Sequence, residues 1–266
     1  LDASGTWSSD YIVEDYSSMG STSLGWWISI DTDSSNLPTF GWYDDDAYLP
    51  YVADFTSIGV AYTVVADECI DPTGIFCPVY GTGWYPSVAV DSSDAIYVTY
   101  HDADTPSDWA DDGAIQYTYL SPSLTDPGVA FSETIDDDGL YTSMAISPSG
   151  NVCAAYQDWD SADLKYACLT GSSWSTETVD STGAVGAHAA LAFNSSNEPY
   201  IAYYDATNGD LKMAHNNGTG WALMTVDGAG GDDVGEYVDI TIDSLDRVHV
   251  AYRDETHQSI RYARGR

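Results

Sequence analysis

The chain has 266 residues, 44% of them apolar, and sets 7 Lys and Arg against 42 Asp and Glu, a formal charge of −35. That much apolar material supports a packed core in one large domain or two ordinary ones, while the acidic field repels phosphate and excludes nucleic acid as an expected partner. No run approaches the roughly 18 apolar residues of a membrane helix and no basic, apolar leader precedes Leu1, so the chain reads as a soluble, processed product without membrane insertion. Such a charge balance suits a medium rich in salt or divalent cations, or an ordinary secreted surface.

In chain order, "WSSDYIVED" at residues 7–15 reads as one short strand, and then the sequence begins to repeat. Five stretches superimpose: "WWISIDTDSSNLPTFGWYDDD", "YPSVAVDSSDAIYVTYHDAD", "YTSMAISPSGNVCAAYQDWD", "HAALAFNSSNEPYIAYYDAT" and "YVDITIDSLDRVHVAYRDET". Each is a strand, a polar turn, a second strand, then an aromatic residue and an Asp. From Asp91 to Asp102, Ser147 to Asp158, Asn194 to Asp205 and Asp243 to Asp254 the separation is eleven residues, and Asp31 to Asp44 carries two more.

A third strand follows as "IQYTYL", "LKYACL", "LKMAHN" and "IRYARG", with "VAYTVV" as the match in the first copy after a longer insertion. "WSTETVD" and "WALMTVD" supply a fourth. Units beginning near residues 25, 84, 140, 187 and 236 are therefore four-stranded meanders, rich in β-branched and aromatic residues, with Ser, Asp, Asn and Gly at the turns. A helical reading fails throughout. The expected fold is a single all-β domain, a five-bladed β-propeller of four-stranded antiparallel blades. The last unit lacks a fourth strand, and residues 7–15 resemble the missing one, so the expectation is a ring closed by the N-terminal strand. A sixth blade would need a sheet hidden in the insertions.

Cys69 with Cys77 and Cys153 with Cys168 are spaced to fall on neighbouring strands of hairpins, which favours disulfides and an oxidising, extracellular or secreted setting. A zinc site is the competing reading, although neither pair has the short ligand spacing it needs.

The units, "PYIAYYDATNGDLKMAH" most clearly, resemble secreted bacterial propeller repeats of the form G-x-x-x-S-x-A-x-D-x-x-G-x-P-x-x-A-Y-Y-D-x-x-x-G-D-L-K-x-A. The resemblance spans residues 25–266, and Cys69 and Cys77 match a cysteine pair seen in some such repeats. It implies the architecture and little about activity. No run matches the S-x-D-x-G-x-T-W box of sialidases. Glycosidases with central carboxylates and lectins with one sugar pocket per blade share five-bladed folds, by analogy of fold alone.

The loop before the first strand and the loop after the second should share one face of the ring. That face collects Asp44, Asp102, Asp158, Asp205 and Asp254, their neighbours Tyr43, His101, Gln157, Tyr204 and Arg253, and Tyr85, Tyr141, His188 and Tyr237 at the start of each unit. An acid present in every blade reads as a turn acceptor, and the repeated Tyr100, Tyr156, Tyr203 and Tyr252 read as packing between blades. Departures from the repeat are better candidates for ligand contact. Arg253 could grip a carboxylate or a sugar hydroxyl, with a salt bridge to a nearby acid as the alternative. His101 and His188, with Glu236 and Asp239, could supply acid/base groups or merely fill a tyrosine slot. Trp27, aligned with Ser87, Ser143, Ala190 and Asp239, could stack on a sugar or plug the axis.

The loop "DADTPSDWADDG" clusters Asp102, Asp104, Asp108, Asp111 and Asp112 around Trp109, hard oxygens of the kind Ca²⁺ takes, without EF-hand spacing. Tyr48, Tyr51 and Phe55 could extend an aromatic, acidic rim. No nucleophile elbow and no phosphate loop is present. The leading expectation is a secreted, non-enzymatic recognition module for a glycan or a cell-surface partner, with Ca²⁺ as its candidate cofactor. The rivals are a glycosidase using Asp102, Asp158 and Glu236, and a structural subunit of a surface layer or filament. Oligomeric state is not legible.

Overall fold

The computed structural model describes residues 24–44, 49–56, 59–64, 84–102, 113–120 and 131–265. They form five antiparallel sheets arranged as a five-bladed β-propeller, with no helix among the described residues. Blade 1 is β1 (Leu24–Thr32), β2 (Pro38–Asp44), β3 (Leu49–Thr56) and β4 (Gly59–Val64). Blade 2 is β5 (Trp84–Val90), β6 (Ile96–Asp102), β7 (Ala114–Leu120) and β8 (Phe131–Asp136). Blade 3 is β9 (Leu140–Ile146), β10 (Val152–Gln157), β11 (Leu164–Thr170) and β12 (Ser173–Asp180). Blade 4 is β13 (Val185–Phe193), β14 (Pro199–Asp205), β15 (Asp210–Asn216) and β16 (Trp221–Asp227). The last blade has three strands among the described residues: β17 (Val234–Ile242), β18 (Val248–Asp254) and β19 (Ser259–Arg264). Residues 7–15, expected as its fourth, lie outside the described residues.

The turn between the first two strands of a blade is set by one side chain. Asp91 Oδ1 accepts the amides of Ser93 and Ala95 at 2.8 and 3.0 Å. Asp33, Asn194 and Asp243 do the same for the residues two and four further on. The turn then needs a left-handed residue, and Asn36, Asp94, Asn197 and Asp246 take it with φ of 56 to 65°. These residue types tolerate that region best after glycine. The geometry corrects the alignment of the first repeat: Asp33, not Asp31, is the turn acid, so its spacing to Asp44 is the same eleven residues. Asp31 instead accepts the Val90 amide of blade 2 at 2.8 Å. Two acids so close together looked alike in the sequence, and only their hydrogen-bond partners distinguish them.

A second correction follows in the same blade. Its third strand is Leu49–Thr56, pairing Trp42 with Tyr51, and the "VAYTVV" tract forms the fourth. Both tracts are short and rich in β-branched and aromatic residues, so composition could not rank them. Tyr51 and Phe55 therefore belong to a strand, and Tyr51 stacks on Trp42 at 5.5 Å.

Second strands such as "IAYY" are apolar on consecutive residues because neighbouring blades cover both faces. Between blades 3 and 4, Ala155, Leu164 and Tyr166 pack with Leu191, Ile201 and Tyr203. Ala202, Leu211 and Met213 meet Ile240, Val250 and Tyr252 one step on. Each wholly buried side chain of the Ile201 kind contributes about 1.5–3 kcal/mol.

Polar contacts repeat with the same period. The acid closing the fourth strand of blades 2, 3 and 4 serves the following blade: Asp136 accepts from Tyr156 and Lys165, Asp180 from Tyr203 and Lys212, and Asp227 from Tyr252 and Arg261. Each cation also reaches the acid ending its own second strand, Asp158, Asp205 or Asp254. Asp158, Asp205 and Asp254, with Tyr156, Tyr203 and Tyr252, are thus parts of an inter-blade clamp.

Cys153 and Cys168 face each other across β10 and β11 and are disulfide-bonded. Cys69 and Cys77 lie outside the described residues. Because the bridge closes a loop with a sequence separation of 15, the Cys153→Ala, Cys168→Ala variant should lose about 3 kcal/mol in denaturant melts. A loss below about 0.5 kcal/mol would show that the β10–β11 hairpin stays ordered in the unfolded chain.

Candidate functional site

At the head of every blade the sequence carries the same three-residue pattern, a glycine, a variable residue and a ring: Gly25-Trp26-Trp27, Gly83-Trp84-Tyr85, Gly139-Leu140-Tyr141, Gly186-Ala187-His188 and Gly235-Glu236-Tyr237. The ladder slips there, with register shifts between Trp26 and Ser29, Trp84 and Ser87, and at the matching places in the other blades. Such a bulge re-aims a side chain. All five ring residues have positive φ, 48 to 55°. This conformation costs a non-glycine residue about 1–2 kcal/mol, so the surrounding fold must hold it in place.

The five rings meet in sequence around the axis. Trp27 lies 4.7 Å from Tyr85, Tyr85 4.6 Å from Tyr141, Tyr141 4.5 Å from His188, and His188 4.5 Å from Tyr237. Four of them are half-buried and Tyr237 is exposed. Burial, with a hydrogen bond between the two hydroxyls, holds the Tyr85 phenol above its ordinary range. Burial alone lowers the His188 pKa to about 4, so its imidazole is neutral at pH 7. The alignment of Trp27 with Ser87 is thereby corrected. Trp27 matches Tyr85, and Ser29 matches Ser87, the same two-residue offset as at Asp33.

A second circle lies across the ladder, where Tyr43 pairs near Trp26, His101 with Trp84, Gln157 with Leu140, Tyr204 near Ala187 and Arg253 with Glu236. These side chains join blades. His101 Nδ1 donates to the Gly139 carbonyl at 2.7 Å, Gln157 Nε2 to the Val185 carbonyl at 2.8 Å, and Tyr204 Oη to Asp233 at 2.8 Å. A carbonyl can only accept, which fixes the proton of His101 on Nδ1. His101 and Tyr43 are buried, and Gly113 backs directly onto the His101 ring. Arg253 behaves differently. It pairs with Glu255 at 2.5 Å and lies over the Tyr237 ring at 5.8 Å, on the open side of the belt.

The acids divide by location. Asp158, Asp205 and Asp254 are buried turn acceptors, and Asp102 is buried at the end of β6. Glu236 stays half-buried on the axial face, its carboxyl raised by burial and by the neighbouring Glu255 charge. Asp239 is exposed and accepts the Ile240 amide. Asp44 ends β2. Trp109 and the acids Asp104, Asp108, Asp111 and Asp112 lie outside the described residues. Among the described residues, Asp232, Asp254 and His257 bring ligand atoms within 4.8 Å of one another. Arg261 bonds both carboxylates at 2.6 Å, so that cluster already holds its counter-cation.

No protein-family model matches the chain, and no curated protein matches it by sequence. Solved structures do resemble it. One is a protein of unknown function from Dyadobacter fermentans, 13% identical with a TM-score of 0.62 over 89% of this chain and 74% of that one. A polysaccharide lyase, an ulvan lyase bound to -[GlcA(1-4)Rha3S]-, is 12% identical with a TM-score of 0.57 over 88% and 67%. A GH43 β-1,3-galactosidase in complex with galactodeoxynojirimycin is 11% identical with a TM-score of 0.56 over 90% and 89%. At such identities the likeness establishes the propeller fold.

Sequence reasoning placed Tyr85, Tyr141, His188 and Tyr237 on one face, and the structure joins them into one belt. It missed the glycine two residues before each ring. Aligning the repeats from the turn acid backwards brings that pattern out.

Proposed function

We propose that the protein is a secreted carbohydrate-recognition module that binds a glycan across the axial face, with Tyr237 and Arg253 at the open edge of its aromatic belt. The observation that carries this reading is the belt itself: five rings held at positive φ, four of them half-buried and one exposed. Aromatic faces stack on the C–H faces of sugars, and a guanidinium beside them can bond hydroxyls or a carboxylate in two-pronged fashion. The fold is one that glycan-active proteins share, as the names of the similar structures attest. The Cys153–Cys168 bridge fits an oxidising compartment. No helix among the described residues is long and apolar enough to cross a membrane.

Those similar structures also favour a second reading, an enzyme of glycan cleavage. Half-buried Glu236 and neutral His188 would then be its acid/base candidates. Calorimetric titration with neutral, uronate-containing and sulfated oligosaccharides, paired with an assay for chain cleavage, separates the two. Recognition predicts saturable binding without product, weakened at least tenfold by Tyr237→Ala, a loss of about 1.4 kcal/mol. Product formation that Glu236→Gln or His188→Ala abolishes would move the assignment to an enzyme. Repeating the titration after chelation and again with Ca²⁺ tests the acidic segment from 102 to 113.

A further inference from the structure

Two stretches of the chain have the spacing Asn-x-Ser/Thr that marks an acceptor for N-linked sugar, Asn194-Ser195-Ser196 and Asn217-Gly218-Thr219. The fold treats them in opposite ways. Asn194 is 7% exposed and sets the turn between β13 and β14. Its Oδ1 accepts the Ser196 and Glu198 amides, both at 2.9 Å, and its Nδ2 donates to Glu198 at 2.7 Å. A carboxamide engaged at both atoms cannot enter another protein's active site without dismantling the turn it holds.

Asn217 stands at the tip of the hairpin joining β15 to β16, where residues 217–220 are all exposed. Asn216 Oδ1 orders that tip by accepting the Gly218 and Gly220 amides at 2.9 and 3.3 Å. Asn217 Oδ1 accepts twice from Thr219, from its amide at 3.1 Å and from its hydroxyl at 2.6 Å. A backbone amide only donates, so the atom turned to Thr219 is the carbonyl oxygen and the nitrogen is the outward end of the carboxamide. Among the described residues that Nδ2 has no hydrogen-bond partner. A side chain added at Gly218 or Gly220 would meet nothing within 4 Å, so open space surrounds the tip.

We propose that Asn217 is an N-glycosylation acceptor of the folded protein, a modification separate from any glycan bound at the belt. The co-reactant is an oligosaccharide joined through its anomeric carbon to a lipid diphosphate and presented by a transferase. Nδ2 forms a bond to the anomeric carbon as the bond from that carbon to the diphosphate oxygen breaks. The electron pair leaves with the diphosphate, and one Nδ2 proton passes to a base of the transferase. The place in the fold suits this addition. β13 starts at the aromatic belt, and antiparallel pairing through β14 carries the end of β15 to the opposite face of the ring. A sugar on Asn217 therefore leaves the axial face clear. The Cys153–Cys168 bridge fits an oxidising compartment outside the cytosol, where secreted chains receive such sugars on surface loops.

The test incubates the folded, disulfide-bonded chain with a single-subunit oligosaccharyltransferase and a lipid-diphosphate-linked oligosaccharide, and reads the product by intact mass and peptide mapping. The expected product gains one glycan, at Asn217, with Asn194 unmodified. Asn217→Gln and Thr219→Val should each lower that gain at least tenfold. Thr219→Ser should keep it, because Asn-x-Ser retains the hydroxyl, and Ser196→Ala, which deletes the other motif, should leave it unchanged. No gain at Asn217 in the folded chain would overturn the proposal, and a peptide of residues 213–222 glycosylated under the same conditions would place the obstacle in the fold. Asn194 modified as fast as Asn217, or a gain that survives Thr219→Val, would equally overturn it.

Discussion

Replacing Gly186 with alanine should destabilise the protein by about 3–4 kcal/mol, the largest effect expected from removing so little chemistry. Two costs combine. Gly186 has φ of +91°, and a Cβ there would lie 2.8 Å from the Leu164 Cα and 3.2 Å from its backbone nitrogen. Left-handed backbone costs an alanine about 1–2 kcal/mol, and an overpacked contact about 1–3 kcal/mol more. Leu164 is wholly buried at the start of β11 and cannot retreat without moving blade 3. Gly235 makes the same approach to Leu211 in the next joint, so Gly235→Ala should behave alike. Gly171→Ala is the control, because its φ is +68° and nothing lies within 4 Å. It should lose only the conformational part. Thermal melts should fall by roughly 6–12 °C for the first two and by a few degrees for the control. Equal shifts for Gly186 and Gly171 would mean that the joint yields to the added methyl group.

Removing Lys212 is the second large effect. Its ammonium bonds Asp180, a buried carboxylate ending β12. Lys212→Met leaves that charge in the joint between blades 3 and 4 with the Tyr203 hydroxyl and the Thr182 amide as its remaining partners. Breaking a buried pair on one side typically costs about 3–5 kcal/mol, and the low end is expected because two donors stay. Combining Lys212→Met with Asp180→Leu and Tyr203→Phe should recover much of the loss, since an apolar joint of similar volume no longer strands a charge. A triple variant as unstable as the sum of its parts would show that the clamp is favourable in itself.

The same pair makes stability depend on acid. Burial disfavours the Asp180 carboxylate, but the bonds from Lys212, Tyr203 and Thr182 outweigh that, and its pKa is lowered in the fold. A group with a depressed folded pKa contributes fully above its unfolded value near 3.9 and loses that contribution as pH falls through the folded value. Denaturant melts from pH 6 down to pH 2 should therefore show stability falling below about pH 4, with a shallower fall in Asp180→Asn. Identical slopes would place the acid sensitivity at other carboxylates.

The sequence alone determined the architecture, because a repeat that buries both faces of its second strand and ends each turn on Asp, Asn, Ser or Gly has few alternatives. "IAYYDATNGDLKMAH" states two strands, their turn and the clamp cation in one line. It also determined that Cys153 and Cys168 would meet, since both lie on adjacent strands of a tight hairpin, and that the repeated Asp would serve turns. It could not rank Asp31 against Asp33, or "LPYVADFT" against "VAYTVV", because each pair carries the same local pattern. Cross-strand register and hydrogen-bond partners chose between them. Nor could it show what a ring at the head of each blade does. Tyr85, Tyr141, His188 and Tyr237 become one surface only when bulges turn the backbone to positive φ and five blades bring residues some fifty positions apart within ring contact. His101, beside Asp102 at the end of β6, was placed on the same face by the sequence, and tertiary packing against Gly113 and Gly139 made it a joint between blades instead. Position within a repeat is local information, but which neighbour a side chain reaches depends on how the blades close around the axis.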